Sequence, residues 1–113
     1  MSDWKELINS SRKSLEALGL GNPEIMHALG TIDAAAKSKN ALDDKTRELI
    51  ALAVAATTRC DGCISIHAKA AVRAGASREE LLETLAVAIA LNAGAATVYS
   101  SRILEAYDQF SGK

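Results

Sequence analysis

Leu49-Ile50-Ala51-Leu52-Ala53-Val54-Ala55-Ala56 is an unbroken apolar run that begins directly after Glu48 and ends at Thr57-Thr58-Arg59. A segment apolar on nearly every side of a 3.6-residue repeat suits a central helix of a bundle, and Asp43-Asp44 places carboxylates at its N-terminus. This third helix is predicted over about 43 to 57, with Glu48 as an acid close to buried surface. Two β-branched threonines interrupt the run, so a fourth helix is predicted to begin close to Cys60 and to stop at Gly75.

On the N-terminal side, Trp4, Leu7, Ile8, Ser11, Leu15 and Leu18 recur at three- and four-residue spacing. They predict an amphipathic helix over 3–18, ended by Gly19-Leu20-Gly21. Asn22 before Pro23 opens a second helix through Ile25, Met26, Leu29 and Ile32, because Asn accepts a bond from an orphan N–H and Pro at the first position gives none up. Lys37-Ser38-Lys39-Asn40 is a loop. On the C-terminal side, Ser77-Arg78-Glu79-Glu80 has capping-box spacing, flanked by Ala76 and Leu81, and starts a fifth helix near 78. Leu85 to Leu91 reads as a buried helix. Asn92-Ala93-Gly94 permits a kink or a break before Val98, Ile103, Leu104 and Tyr107, leaving one bent helix or two. With no strand alternation, internal repeat or low-complexity segment, the fold class is all-α: a single-domain bundle of about five or six helices over residues 1–113.

Composition agrees with that class and removes several functions. The chain is 49 % hydrophobic but only 4 % aromatic, and Ala supplies much of the apolar content, which favours closely packed helices over a β-sandwich. A length of 113 residues implies one domain. A net charge of −1, with no Lys/Arg cluster interleaved with aromatics, argues against nucleic acid as a partner. Leu85 to Leu91 falls well short of the roughly 20 residues that cross a bilayer. Met1-Ser2-Asp3-Trp4-Lys5-Glu6 lacks the basic and then apolar pattern of a secretory leader. The expectation is a cytoplasmic protein with no membrane span.

Both thiols of the chain lie in one constellation, Cys60-Asp61-Gly62-Cys63-Ile64-Ser65-Ile66-His67, with Glu48 twelve residues before the first of them. In a helix beginning at Cys60, a 100° step puts Cys63 at about −60° and His67 at about −20°, so all three share one face. A thiol near a helix N-terminus meets unpaired N–H groups and the positive end of the dipole, which lower its pKa from about 8.5 towards about 7 or below. His67 can share a proton with Cys63, and Glu48 can orient or relay to the imidazole. Two cysteines at this spacing also close a disulfide readily, so a sulfenic acid on one is resolved by the other. Zinc is the competing use of Cys-x-x-Cys with a His, but a structural site wants four ligands and His27 lies far away in sequence. A buried, chemically silent cysteine pair is a further alternative.

The stretch from Arg47-Glu48 through Cys60-Asp61-Gly62-Cys63 and His67 to Gly75-Ala76-Ser77-Arg78-Glu79-Glu80 resembles the carboxymuconolactone decarboxylase family. Its E-x11-C-x2-C-x3-H spacing is similar to that of the alkylhydroperoxidase (AhpD-like) branch, and the likeness covers roughly residues 22 to 110. The resemblance implies an all-helical, AhpD-like fold assembled as a homo-oligomer, a trimer or hexamer. It implies Cys63 as the peroxide-attacking thiol, Cys60 as its disulfide partner, and Glu48 and His67 as a proton relay. It also implies recharging by a dithiol such as lipoamide, or through a peroxiredoxin, with no metal or organic cofactor in any step. Gly62 stands where the family's peroxidases often carry His or another hydrogen-bonding side chain. The activity expected is thiol-dependent hydroperoxide reduction or disulfide exchange. The alternatives are a lactone decarboxylase, which needs no dithiol and for which no cationic carboxylate clamp is visible, and a non-catalytic redox-sensing assembly module.

Overall fold

A computed structural model describes residues 2–112, which form α1 (Trp4–Gly21), α2 (Pro23–Lys37), α3 (Asp44–Thr58), α4 (Asp61–Arg73) and α5 (Arg78–Ser111), with no strand among the described residues. The all-α class expected from the sequence is the one observed.

Local chemistry sets most of the boundaries. Asp43 caps α3 by accepting the Thr46 N–H at 2.8 Å. Ser77 and Glu80 form the reciprocal capping box of α5, at 3.0 and 2.8 Å. Gly75 takes φ 86°, the left-handed conformation that ends α4, and its N–H reaches back to the Val72 carbonyl. Asn22 serves two helices: its N–H donates to the Leu18 carbonyl at 2.8 Å, and its side chain accepts the Ile25 N–H at 3.3 Å. The first helix therefore runs through Gly19-Leu20-Gly21 instead of stopping there. Pro23 moves Asn22 out of the helical region, and that is where the chain turns. Gly19 then admits the returning helix, since a Cβ there would lie 3.3 Å from Met26 Cγ.

The core lies between α3, α4 and α5 and is closed at one end by Trp4 of α1. Leu52, Ala55 and Ala56 of α3 meet Ile64, Ala68 and Ala71 of α4 and Leu81, Leu85 and Ile103 of α5. The alanines permit close backbone approach, and the longer side chains fill the space between them.

Three expectations about burial need correction. The stripe of α1 is buried only at its N-terminal end, since Leu15 and Leu18 are exposed. The run at the centre of α3 has one open side, where Ile50 and Val54 face outward. Between Leu85 and Leu91, Leu85 and Ala88 are buried, but Leu91 is 85 % exposed. For α3 and α5 the cause is shared: α2 packs on α1 alone, so it leaves their open sides uncovered, and it buries no residue of its own. Asn92 and Ala93 depart from helical φ/ψ, so α5 is two helical arms joined at a kink. By length and composition alone α5 is apolar enough to cross a membrane, with mean hydropathy 1.7 over 18 residues. It packs against α1, α3 and α4 in the bundle.

Candidate functional site

Cys60 stands just outside α4 as its N-cap, with extended backbone (φ −101°, ψ 98°), and Asp61 is the first helical residue. The helix begins close to Cys60, as the sequence predicts. As an extended residue, Cys60 can turn its side chain back to the orphan N–H groups of the first turn. The approach is set by Arg59, which ends α3 in the left-handed conformation at φ 58°. Cys60 Sγ accepts the Cys63 N–H at 3.1 Å, and the two cysteines are joined as a disulfide with Cα atoms 5.2 Å apart. Cys63 also packs against the buried core.

One helical turn further along α4, His67 Nδ1 lies 2.6 Å from Glu48 Oε2 of α3. Glu48 is the more enclosed partner, its side chain 20 % exposed against 36 % for His67. An ionised carboxylate only accepts, so opposite one, Nδ1 carries the hydrogen, and Nε2 is the acceptor when the ring is neutral. Among the described residues, no hydrogen bond joins His67 to either sulfur. The direct sharing of a proton between Cys63 and His67 expected from their spacing is therefore absent in the disulfide state, in which neither sulfur has a proton to give.

The cavities explain how these groups relate. One of about 440 Å³ exposes Cys60, Gly62 and Cys63 beneath Ser11, Ser14 and Leu15 of α1. Another, of about 500 Å³, exposes Glu48 and His67 beneath Asp33 and Lys37 of α2. A third, of about 610 Å³, shares Leu15 with the first and Lys37, Glu48 and Ile66 with the second. Gly62 lines the dithiol cavity, and a Cβ there would meet nothing within 4 Å.

Sequence reasoning did not find the residues behind the dithiol. Asp61 accepts from Arg102 at 3.1 Å, and the Arg102 guanidinium lies 4.9 Å from the Trp4 ring centroid and 5.7 Å from that of Tyr99. The separation of Asp61 and Arg102 in sequence hides this link. The α1 serines were equally missed, although Ser11 stood as the one polar member of an apolar stripe. His27 is exposed on α2, away from the site. Among the described residues, no group of three or more His, Cys, Asp or Glu is placed to hold a metal ion.

Comparison with known proteins agrees with this fold. The profile of the carboxymuconolactone decarboxylase family matches residues 23–106. An uncharacterized protein of Haemophilus influenzae is 58 % identical over 106 residues, 94 % of each chain. An uncharacterized protein of Cupriavidus necator is 34 % identical over 107 residues, 95 % of each. The crystal structure of an apo carboxymuconolactone decarboxylase family protein from Legionella pneumophila superimposes with a TM-score of 0.90 at 37 % identity, covering 96 % of both chains.

Proposed function

The chain belongs to the carboxymuconolactone decarboxylase family, and we propose that within it the protein is a thiol-dependent hydroperoxide reductase of the alkylhydroperoxidase kind. The observation that carries this reading is the 2.6 Å contact between Glu48 and His67, one helical turn from a cysteine pair able to close a disulfide. A lactone decarboxylase has no use for that pair.

The cycle starts from the dithiol. His67 Nε2 takes the proton of Cys63, and Glu48 stabilises the imidazolium that results. The Cys63 thiolate attacks one peroxide oxygen, the O–O bond breaks, and the leaving alkoxide recovers the proton from His67 as the alcohol. Cys63 is now a sulfenic acid. Cys60 condenses with it, forming the S–S bond and releasing water. An external dithiol then reduces the bridge, giving up two electrons and two protons to Cys60 and Cys63 and closing its own disulfide. Glu48, His67, Cys60 and Cys63 are the catalytic residues of this scheme, and no metal or organic cofactor enters it.

The protein is also proposed to work as a homo-oligomer in the cytoplasm. Support comes from apolar surface that the protomer leaves open: Ile25, Leu29 and Ile32 on α2, and the groove where Ile50 and Val54 face Val87 and Leu91.

The test is the mass of fully reduced protein before and after one equivalent of an organic hydroperoxide. A loss of about 2 Da within a Cys60–Cys63 peptide supports the cycle, and native mass gives the subunit number in the same experiment. An unchanged mass with both thiols free sinks the peroxidase reading.

A further inference from the structure

The sequence shows no cationic clamp, yet the fold builds one. Arg12 of α1, Lys37 of α2, and Lys69 and Arg73 of α4 line the cavity of about 610 Å³ between those helices. They are scattered over more than half of the chain, so their convergence is visible only in three dimensions. Among the described residues none of the four makes an ion pair. The two acids in the same lining are engaged elsewhere, Asp44 with Arg47 and Glu48 with His67. A chain of net charge −1 thus carries one concave surface on which four cations outnumber two acids. It continues into a neighbouring cavity, of about 430 Å³, that shares Ile8, Lys69 and Arg73 and adds Lys5 and Phe110.

The floor between the cations is apolar, made of Ile8, Leu15, Ile66, Ala70 and Ala74. A phosphate-rich ligand would find no use for that floor, and a neutral lipid none for the cations. The volume of this open cleft falls within the range of small-molecule sites. At one end Leu15 is shared with the dithiol cavity, and Glu48 and Ile66 are shared with the relay cavity.

We infer that this cleft binds an aliphatic chain ending in a carboxylate, and that the hydroperoxide reduced at Cys63 is of that class. The inference rests on the proposed peroxidase reading and names its substrate. The carboxylate is held by Arg12, Lys37, Lys69 and Arg73, the chain lies on Ile8, Leu15 and Ile66, and the hydroperoxide end reaches Cys63 past Leu15. Reduction converts the hydroperoxide to the alcohol by the step given above and leaves the carboxylate unchanged, so both substrate and product fit the same cleft.

The experiment has two arms. In the first, kcat/KM is measured for a medium-chain fatty-acid hydroperoxide and for its methyl ester, in wild type, Arg12→Gln, Arg73→Gln and Arg73→Lys. The acid should be preferred, and the acid-to-ester ratio should fall roughly two- to fivefold for each cation removed, the size of one exposed ion pair. Arg73→Lys should keep the wild-type ratio. Equal rates for acid and ester in wild type would overturn the inference. In the second arm, decanoate is titrated into the oxidised protein by calorimetry at low and high salt. Binding that weakens with salt and with the Arg12→Gln/Arg73→Gln double variant supports the cleft even if no peroxide is reduced, in which case only the peroxidase reading fails. No binding at millimolar decanoate removes the cleft, whatever the turnover.

Discussion

Cys60 Sγ accepts the backbone N–H of Cys63 at 3.1 Å, so one cysteine caps the helix that carries the other. The bond satisfies an orphan donor of α4. Compared without the bridge in either variant, Cys60→Ala should be less stable than Cys60→Ser by about 0.5–1 kcal/mol, the usual worth of an N-cap side chain. Urea unfolding of the two variants measures it, and coincident midpoints would dismiss the cap.

The two sulfurs have unequal tasks in the proposed cycle. Cys63→Ser should abolish peroxide turnover. Cys60→Ser should consume a single equivalent and stop at the sulfenic acid, since nothing resolves it. A sulfenic-acid trap followed by mass spectrometry reads the adduct on the Cys63 peptide, and full turnover by Cys63→Ser contradicts the assignment.

The Glu48 and His67 contact gives a kinetic expectation. Glu48→Gln keeps the shape of the pair but removes the charge that supports an imidazolium, and His67→Ala removes the base. Each should slow thiol oxidation by roughly 10²–10⁴-fold near neutral pH, as for other general bases. Stopped-flow oxidation at fixed peroxide tests this. Rates within twofold of wild type in both variants would leave the contact a purely structural role.

Acid stability depends on a different carboxylate. The Ser77 N–H and the Lys45 ammonium, 2.9 Å away, hold the Glu80 carboxyl below its ordinary value. A pKa lower in the folded than in the unfolded chain stabilises fully above the ordinary glutamate range, and the contribution is lost as pH falls through that range towards the folded value. Asp43, lowered by its hydrogen bonds to Thr46, acts in the same direction. Glu80→Gln should therefore flatten the decline of the unfolding midpoint between about pH 5 and pH 3. An unaltered slope would show that the cap contributes nothing to acid sensitivity.

The helix boundaries were legible in the sequence because they rest on short-range rules. Asn22-Pro23, Asp43 and Ser77 announced their caps within four residues, and the spacing of Cys60, Cys63 and His67 put them on one face of a helix beginning close to Cys60. Glu48 was found because an acid at the edge of the Leu49–Ala56 run must sit near buried surface. Long-range features were not legible. Hydrophobic periodicity does not say whether a partner exists for a face, so Leu18, Val54 and Leu91 looked buried and are exposed. Arg12, Lys37, Lys69 and Arg73 look like ordinary solvated charges until helix packing gathers them around one cavity. The pairing of Asp61 with Arg102 is hidden for the same reason.

Trp4 is the only tryptophan of the chain and is fully buried, with Nε1 donating to Glu105 at 2.8 Å. Arg102 lies over its ring and reaches Asp61, the residue that follows Cys60. The protein thus contains a single indole, and the cation over its ring is tied to the first residue of the helix that carries Cys63. A change of that contact on reduction would alter the indole's emission, so a titration with oxidant can be followed optically on the unmodified chain.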